Sequence, residues 1–156
     1  MDLSPYLIST DPSLLDVDSV HAYLTRSYWA QGIPRDTVAR SLRASMCFGV
    51  YHAPEPGGPR AQVGLARVIT DRATFAYLCD VYILEEHRGR GLSKQLMRAV
   101  LEHPDLQGLR RLFLFTKDAH GLYSQFGFTP ISMPDRAMEK RDPEVYRRAQ
   151  PGPAAP

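Results

Sequence analysis

The sequence predicts one α+β domain in which a largely antiparallel sheet is flanked by helices. Its 156 residues fall in the usual range of a single domain and suffice to bury a sizeable core. Short apolar runs follow one another across tight polar breaks, as strands do in antiparallel hairpins. Apolar residues also recur at helical spacing in stretches before and after those runs.

Near the N-terminus, Tyr6-Leu7-Ile8 is a short strand candidate that Asp11-Pro12-Ser13 interrupts. From Asp16 onward, Val17, Val20 and Leu24 recur near helical spacing, and the pattern stops around Trp29 and Gly32. A second helix is expected from Asp36 to Ser45, where Val38 and Leu42 share a face, and Met46 to Tyr51 reads as a strand. His52 to Arg60 holds Pro54, Pro56, Gly57, Gly58 and Pro59, so it is expected to loop. Strands over Gln62 to Thr70 and Thr74 to Leu84 flank the polar Asp71-Arg72. Glycines then lead into an amphipathic helix with Leu92, Leu96, Ala99, Val100 and His103 on one face and Pro104 as its stop. Arg111 to Thr116 is the next strand. Asp118 is placed to cap a short helix bearing Leu122, Tyr123 and Phe126, with Gly127 as its C-cap. Further strands are expected at Phe128 to Ser132 and, more weakly, at Ala137 to Glu139. Residues 1–140 form the expected domain. Residues 141–156 form a Pro- and Arg-rich tail expected to be poorly ordered, because Gln150-Pro-Gly-Pro-Ala-Ala-Pro cannot build a packed face.

Composition narrows the function classes. The formal charge is only +2, and the basic residues are dispersed, which argues against a nucleic-acid partner. No apolar run approaches membrane-spanning length, so no membrane partner is expected. Asp2, Asp11, Asp16 and Asp18 are wrong for a secretory signal. Cys47 and Cys79 sit in apolar runs without metal-ligand spacing, which predicts buried free thiols, no metal and a cytoplasmic location.

The string Val81-Tyr-Ile-Leu-Glu-Glu-His-Arg-Gly-Arg-Gly-Leu-Ser-Lys carries the chemistry. A strand enters it and a helix leaves it. Gly89 and Gly91 let the backbone approach a ligand closely, and the first amides of the following helix lack internal acceptors. With Arg88 and Arg90 beside them, these groups form a site for an anion such as a pyrophosphate. The spacing of a Walker A loop is absent. A dinucleotide fingerprint would need glycine where Lys94 stands, and a nucleophile elbow would need one where Gln95 stands.

Arg88-Gly-Arg-Gly-Leu-Ser resembles the R/Q-x-x-G-x-G/A signature of the GNAT N-acetyltransferase superfamily, and Ala119-His-Gly-Leu-Tyr-Ser-Gln-Phe-Gly-Phe resembles that family's A-x-x-L-Y-x-x-x-G-F segment. Ser93 replaces the last small residue of the signature. The resemblance implies an acyl-CoA N-acyltransferase-like fold: a mixed, mostly antiparallel central sheet flanked by helices, whose two central parallel strands splay apart. It implies acetyl-coenzyme A as acetyl donor and an amine of a small molecule or peptide as acceptor, and it is compatible with a homodimer. Backbone groups of Val81 and Ile83 would face the thioester and pantetheine, where unpaired amides can stabilise developing negative charge. Amides of Arg88, Gly89, Arg90, Gly91, Leu92 and Ser93 would cradle the pyrophosphate. Thr116 stands where many members carry an asparagine that contacts pantetheine.

Tyr123 matches the position often assigned as the acid that protonates the departing thiolate; its other reading is core packing beside Leu122 and Phe126. Asp80, in an apolar strand, is a base, an amine anchor or a buried structural hydrogen-bond partner. Strict alternation places it on the face opposite Val81 and Ile83. Glu85, His120 and a water chain are rival bases, and His87 reads as a surface neighbour of the glycines. Tyr28 and Trp29 fall where the family forms its acceptor site, although such residues also close cores. The competing function class is a module that binds acyl-coenzyme A without turnover.

Overall fold

The computed structural model describes residues 5–150. Its elements run β1 (Tyr6–Ser9), α1 (Val17–Leu24), α2 (Arg35–Arg43), β2 (Met46–His52), β3 (Ala61–Thr70), β4 (Phe75–Ile83), α3 (Leu92–Leu101), β5 (Arg111–Leu114), α4 (His120–Ser124) and α5 (Val145–Ala149). The strands lie side by side in chain order. The first three pairings are antiparallel and β4–β5 is parallel; α3 makes the crossover that the parallel pair needs, a loop and a turn join β2 to β3 and β3 to β4, and α1 and α2 lie between β1 and β2.

Strand periodicity divides the core in two. On one face Phe48, Val50, Val68 and Leu78 pack against Leu96, Met97 and Val100 of α3. On the other, Cys47, Leu65 and Tyr82 pack against Val20 and Leu24 of α1 and Val38 and Leu42 of α2. Each fully buried aliphatic side chain contributes about 1.5–3 kcal/mol relative to exposure, so the sheet is clamped from both sides. At the start of α1 the Asp16 carboxylate accepts from the Ser19 amide at 3.0 Å, a cap that typically contributes about 1 kcal/mol. Gly64 is needed where β3 meets β4: a Cβ there would stand 2.7 Å from Ile83 Cδ1 and 2.8 Å from the Tyr82 carbonyl oxygen. Both cysteines are free thiols. Burial pushes Cys47 up to about 11 and Cys79 up to about 12, which leaves both protonated and unreactive at neutral pH.

The C-terminal part departs from expectation. Asp118 does not cap α4; the position before the helix is Ala119, without a side-chain cap, and Thr116 Oγ1 accepts from the Ala119 amide at 3.0 Å instead. No strand forms at Phe128 to Ser132 or at Ala137 to Glu139 among the described residues. Pro130 and Pro134 lack backbone donors, Pro134 opens a short 3-10 turn, and Phe128 spends its ring on Tyr123. Within the expected unstructured tail, Val145–Ala149 is helical and Tyr146 is partly buried against the α1–α2 side of the core. Residues 151–156 lie outside the described residues.

Candidate active site

The site begins where β4 loses a neighbour. Pairing with β5 runs from Phe75 opposite Arg111 to Leu78 opposite Leu114 and stops there. Just beyond, β4 bulges: Arg67 faces Cys79 and Leu65 faces Tyr82, so Asp80 and Val81 together oppose Ala66. Asp80 takes a left-handed φ of 49°, a conformation that aspartate tolerates better than most side chains. Ala76 and Leu78 point into the α3 core before the bulge, whereas Val81 and Ile83 pack there after it. Unbroken alternation from Leu78 would have driven the Asp80 carboxylate into that apolar core. The bulge instead sets it on the α1–α2 side, opposite Val81 and Ile83. There Arg67 Nε donates to it at 2.7 Å and Trp29 Nε1 at 2.9 Å.

The divergence opens a cleft of about 910 Å³ between the free stretch of β4, the segment after β5 and the loop from α1 to α2. Tyr123 lines it and is only 8% exposed. Burial, with Tyr28 and Asp118 adding to it, pushes its phenol up to about 12. Ser93 and Arg88, from the glycine turn, line the same cleft.

In that turn Gly89 and Gly91 adopt φ of 75° and 76°. Gly91 precedes α3 without any side-chain cap, so the amides that open the helix have no helical acceptors. A Cβ on either glycine would meet nothing within 4 Å. The approach to the turn is therefore open, and the free amides fit an anionic group arriving from outside.

Residues 17–128 match the model of the acetyltransferase (GNAT) family. The chain belongs to the GNAT family. A Xanthomonas campestris protein of that family has a solved structure with 52% identity and a TM-score of 0.83, covering 90% of this chain and 96% of that one. A Gibberella zeae protein provisionally named an acetyltransferase is 42% identical over 137 residues, 77% of this chain and 76% of its own length. A GNAT acetyltransferase from Elizabethkingia anophelis, solved with acetyl-CoA bound, shares the fold at 12% identity and a TM-score of 0.59, covering 86% of each chain.

Within this GNAT domain, most residues singled out from the sequence converge. Asp80, Val81, Ile83, Arg88, Ser93, Thr116, Tyr123, Tyr28 and Trp29 all line the cleft. Leu92 does not; it is buried in the α3 core. Both arginines of the turn are exposed, and Arg88 is in addition bonded within the protein. Arg88 Nε donates to the Ile83 carbonyl at 2.8 Å and its Nη2 to the Tyr23 hydroxyl at 3.2 Å, with Glu85 3.5 Å away. Its guanidinium staples the end of β4 because three acceptors surround it.

The rival bases fare differently. Glu85 accepts two hydrogen bonds from Arg26, at 3.0 and 3.1 Å, and they hold its carboxyl down at about 2. Exposed His120 is not among the described residues that line the cleft. His87 Nδ1 lies 2.9 Å from the Tyr6 hydroxyl, away from the cleft, and burial holds its pKa below the ordinary range. Sequence reasoning missed Arg67, although a signal existed: a lone cation in the apolar β3, across a hairpin from a lone carboxylate in β4. It also missed Tyr77 and Phe115, whose place on the cleft depends on where β5 ends. Among the described residues no cluster of three or more His, Cys, Asp or Glu is placed to hold a metal ion, and no helix is long and apolar enough to cross a membrane.

Proposed function

We propose that this chain moves an acetyl group from acetyl-coenzyme A directly to an amine of a small molecule or peptide. One observation carries the reading: Arg88 and Ser93, at the two ends of an open glycine turn, line a single cleft with a buried tyrosine along the stretch of β4 that β5 leaves uncovered. The donor, when bound, supplies an activated acyl group and a thiolate leaving group. The amides from Gly89 to Ser93, with the exposed Arg90 beside them, hold its pyrophosphate. Backbone groups of Val81 and the amide of Ile83, beyond the point where β5 stops, receive the thioester arm, the Ile83 carbonyl being held by Arg88, and Thr116 flanks it from the segment after β5.

Tyr123 is the acid. Its raised pKa keeps the proton on Oη throughout the neutral range, and the hydroxyl delivers that proton to the leaving sulfur. Asp80 serves as amine anchor. Each of its oxygens already accepts one hydrogen bond, from Trp29 and from Arg67, and each retains a lone pair for an acceptor ammonium. With both oxygens held in this way Asp80 positions the amine, and a water chain carries the proton out.

The deciding experiment incubates the chain with acetyl-coenzyme A and a library of amines and peptides and detects free coenzyme A. Acceptor-dependent release, reduced in Gly91→Val at sub-saturating acetyl-coenzyme A, is expected. Saturable binding of acetyl-coenzyme A with no release for any acceptor would leave a binding module in place of a transferase.

A further inference from the structure

Beyond Tyr123 the cleft is walled by aromatic rings turned toward solvent. Tyr28 and Trp29, on the loop from α1 to α2, are 56% and 41% exposed and meet edge to face with centroids 5.0 Å apart. Phe115, just past the end of β5, is 71% exposed and meets Tyr77 edge-on at 6.1 Å. Leaving one such ring in water forgoes about 1.5–3 kcal/mol of burial, and three of them around one opening, with the half-buried Tyr77 beside Phe115, mark a surface that an apolar partner covers.

Charge limits what that partner can be. Three carboxylates line the cleft. Asp80 is paired with Arg67, and Glu85 with Arg26 and Arg88. Asp118 alone has no ion-pair partner among the described residues. Beside it stands Lys117, whose ammonium lies 5.6 Å from the centre of the Tyr28 ring. The mouth therefore presents no net negative field to gather a polycation, and it has room for one ammonium at most.

We infer that the acceptor is a monoamine carried on an aromatic body, with its ring against Tyr28, Trp29, Tyr77 and Phe115 and its amine toward Asp80. This rests on the transfer reading above and narrows it. The ring contacts supply affinity through burial and edge-to-face packing, and the neutralised carboxylates reject spermidine-like chains.

Trp29 is the single tryptophan of the chain, so its emission reports on this surface without turnover. The full chain is titrated with 2-phenylethylamine, n-butylamine and spermidine while Trp29 fluorescence is followed, and kcat/KM is then measured for each. 2-Phenylethylamine is expected to shift the emission saturably, to bind about tenfold more tightly than n-butylamine and to lead it by a similar factor in kcat/KM. Phe115→Ala, at an exposed position that folding does not need, should bring that ratio close to one, and Phe115→Tyr should restore it.

Equal affinities for the first two amines, or tightest binding of spermidine, would overturn the inference. So would a dimer in solution that Phe115→Ala dissolves without changing the amine ratio, since the rings would then serve a second copy. The two readings fail separately. Selective binding that Phe115→Ala weakens, with no coenzyme A released from any amine, sinks the transfer reading and leaves the aromatic site standing. Release at equal rates for all amines does the reverse.

Discussion

Two backbone features with positive φ frame the cleft, and they are held in opposite ways. The turn before α3 uses Gly89 and Gly91, is exposed, and has no side-chain cap. The bulge in β4 uses Asp80, which is buried and bonded to Arg67 and Trp29. A glycine adopts this conformation at no steric cost, whereas another residue gives up about 1–2 kcal/mol. The turn is therefore written into its own residues and stays open to a ligand. The bulge persists because partners far along the chain over-determine it.

The sharpest way to break this contrast is Arg67→Ala. Removing the cation leaves the Asp80 carboxylate buried without its charge partner, for which the expected loss is about 3–5 kcal/mol by denaturant unfolding. The same change should alter Trp29 emission, since Trp29 shares that carboxylate. A loss under about 1 kcal/mol would mean that the pair does not hold the bulge.

Tyr123→Phe tests the cleft that lies between the two features. The ring keeps its packing, so stability and acetyl-coenzyme A affinity should hardly move, while kcat should fall about a hundredfold with little change in KM. Near-normal kcat, where chemistry limits turnover, would remove Tyr123 as the acid. Gly91→Val acts on the turn. Calorimetry should show acetyl-coenzyme A binding weakened about tenfold or more, on the order of 1.4 kcal/mol, in a protein that still folds. Unchanged affinity would place the pyrophosphate elsewhere.

The smallest effect concerns Glu85, which bridges Arg26 and Arg88 at the entrance to the turn. Its carboxyl lies at about 2 against an ordinary 4.5, so the charged form is favoured by folding. That contribution is fully present above pH 4.5 and is lost as pH falls toward 2. Solvent screening at this exposed site keeps it below about 1 kcal/mol. Glu85→Gln should flatten that part of the acid side of the stability profile, and an unaltered profile would show that the bridge contributes nothing.

Legibility followed the range of the interactions. Helix α3 could be read because its buried residues repeat on one face, and the β3–β4 hairpin because Asp71-Arg72 separates two apolar runs. The strand expected at Phe128 to Ser132 failed for want of a partner: apolar residues were present, but Pro130 and Pro134 offered no donors and the Phe128 ring went to Tyr123. Asp118 as a helix cap failed because the Thr116 hydroxyl reached the Ala119 amide first. That the Tyr23 hydroxyl and the Ile83 carbonyl also engage Arg88 was not legible, since both partners are set by the fold.

By itself the sequence determined the order of the elements, the glycine turn with its free amides, and the tyrosine after β5, because periodicity, proline, glycine and capping act between residues a few positions apart. Only the tertiary structure decided where β4 and β5 part, that β4 bulges at Asp80, that Arg67 and Trp29 hold that carboxylate, and which aromatic rings stand open around the cleft. Those outcomes turn on pairing register and on contacts between residues such as Trp29 and Asp80 that are distant along the chain, and no local pattern encodes how such residues meet.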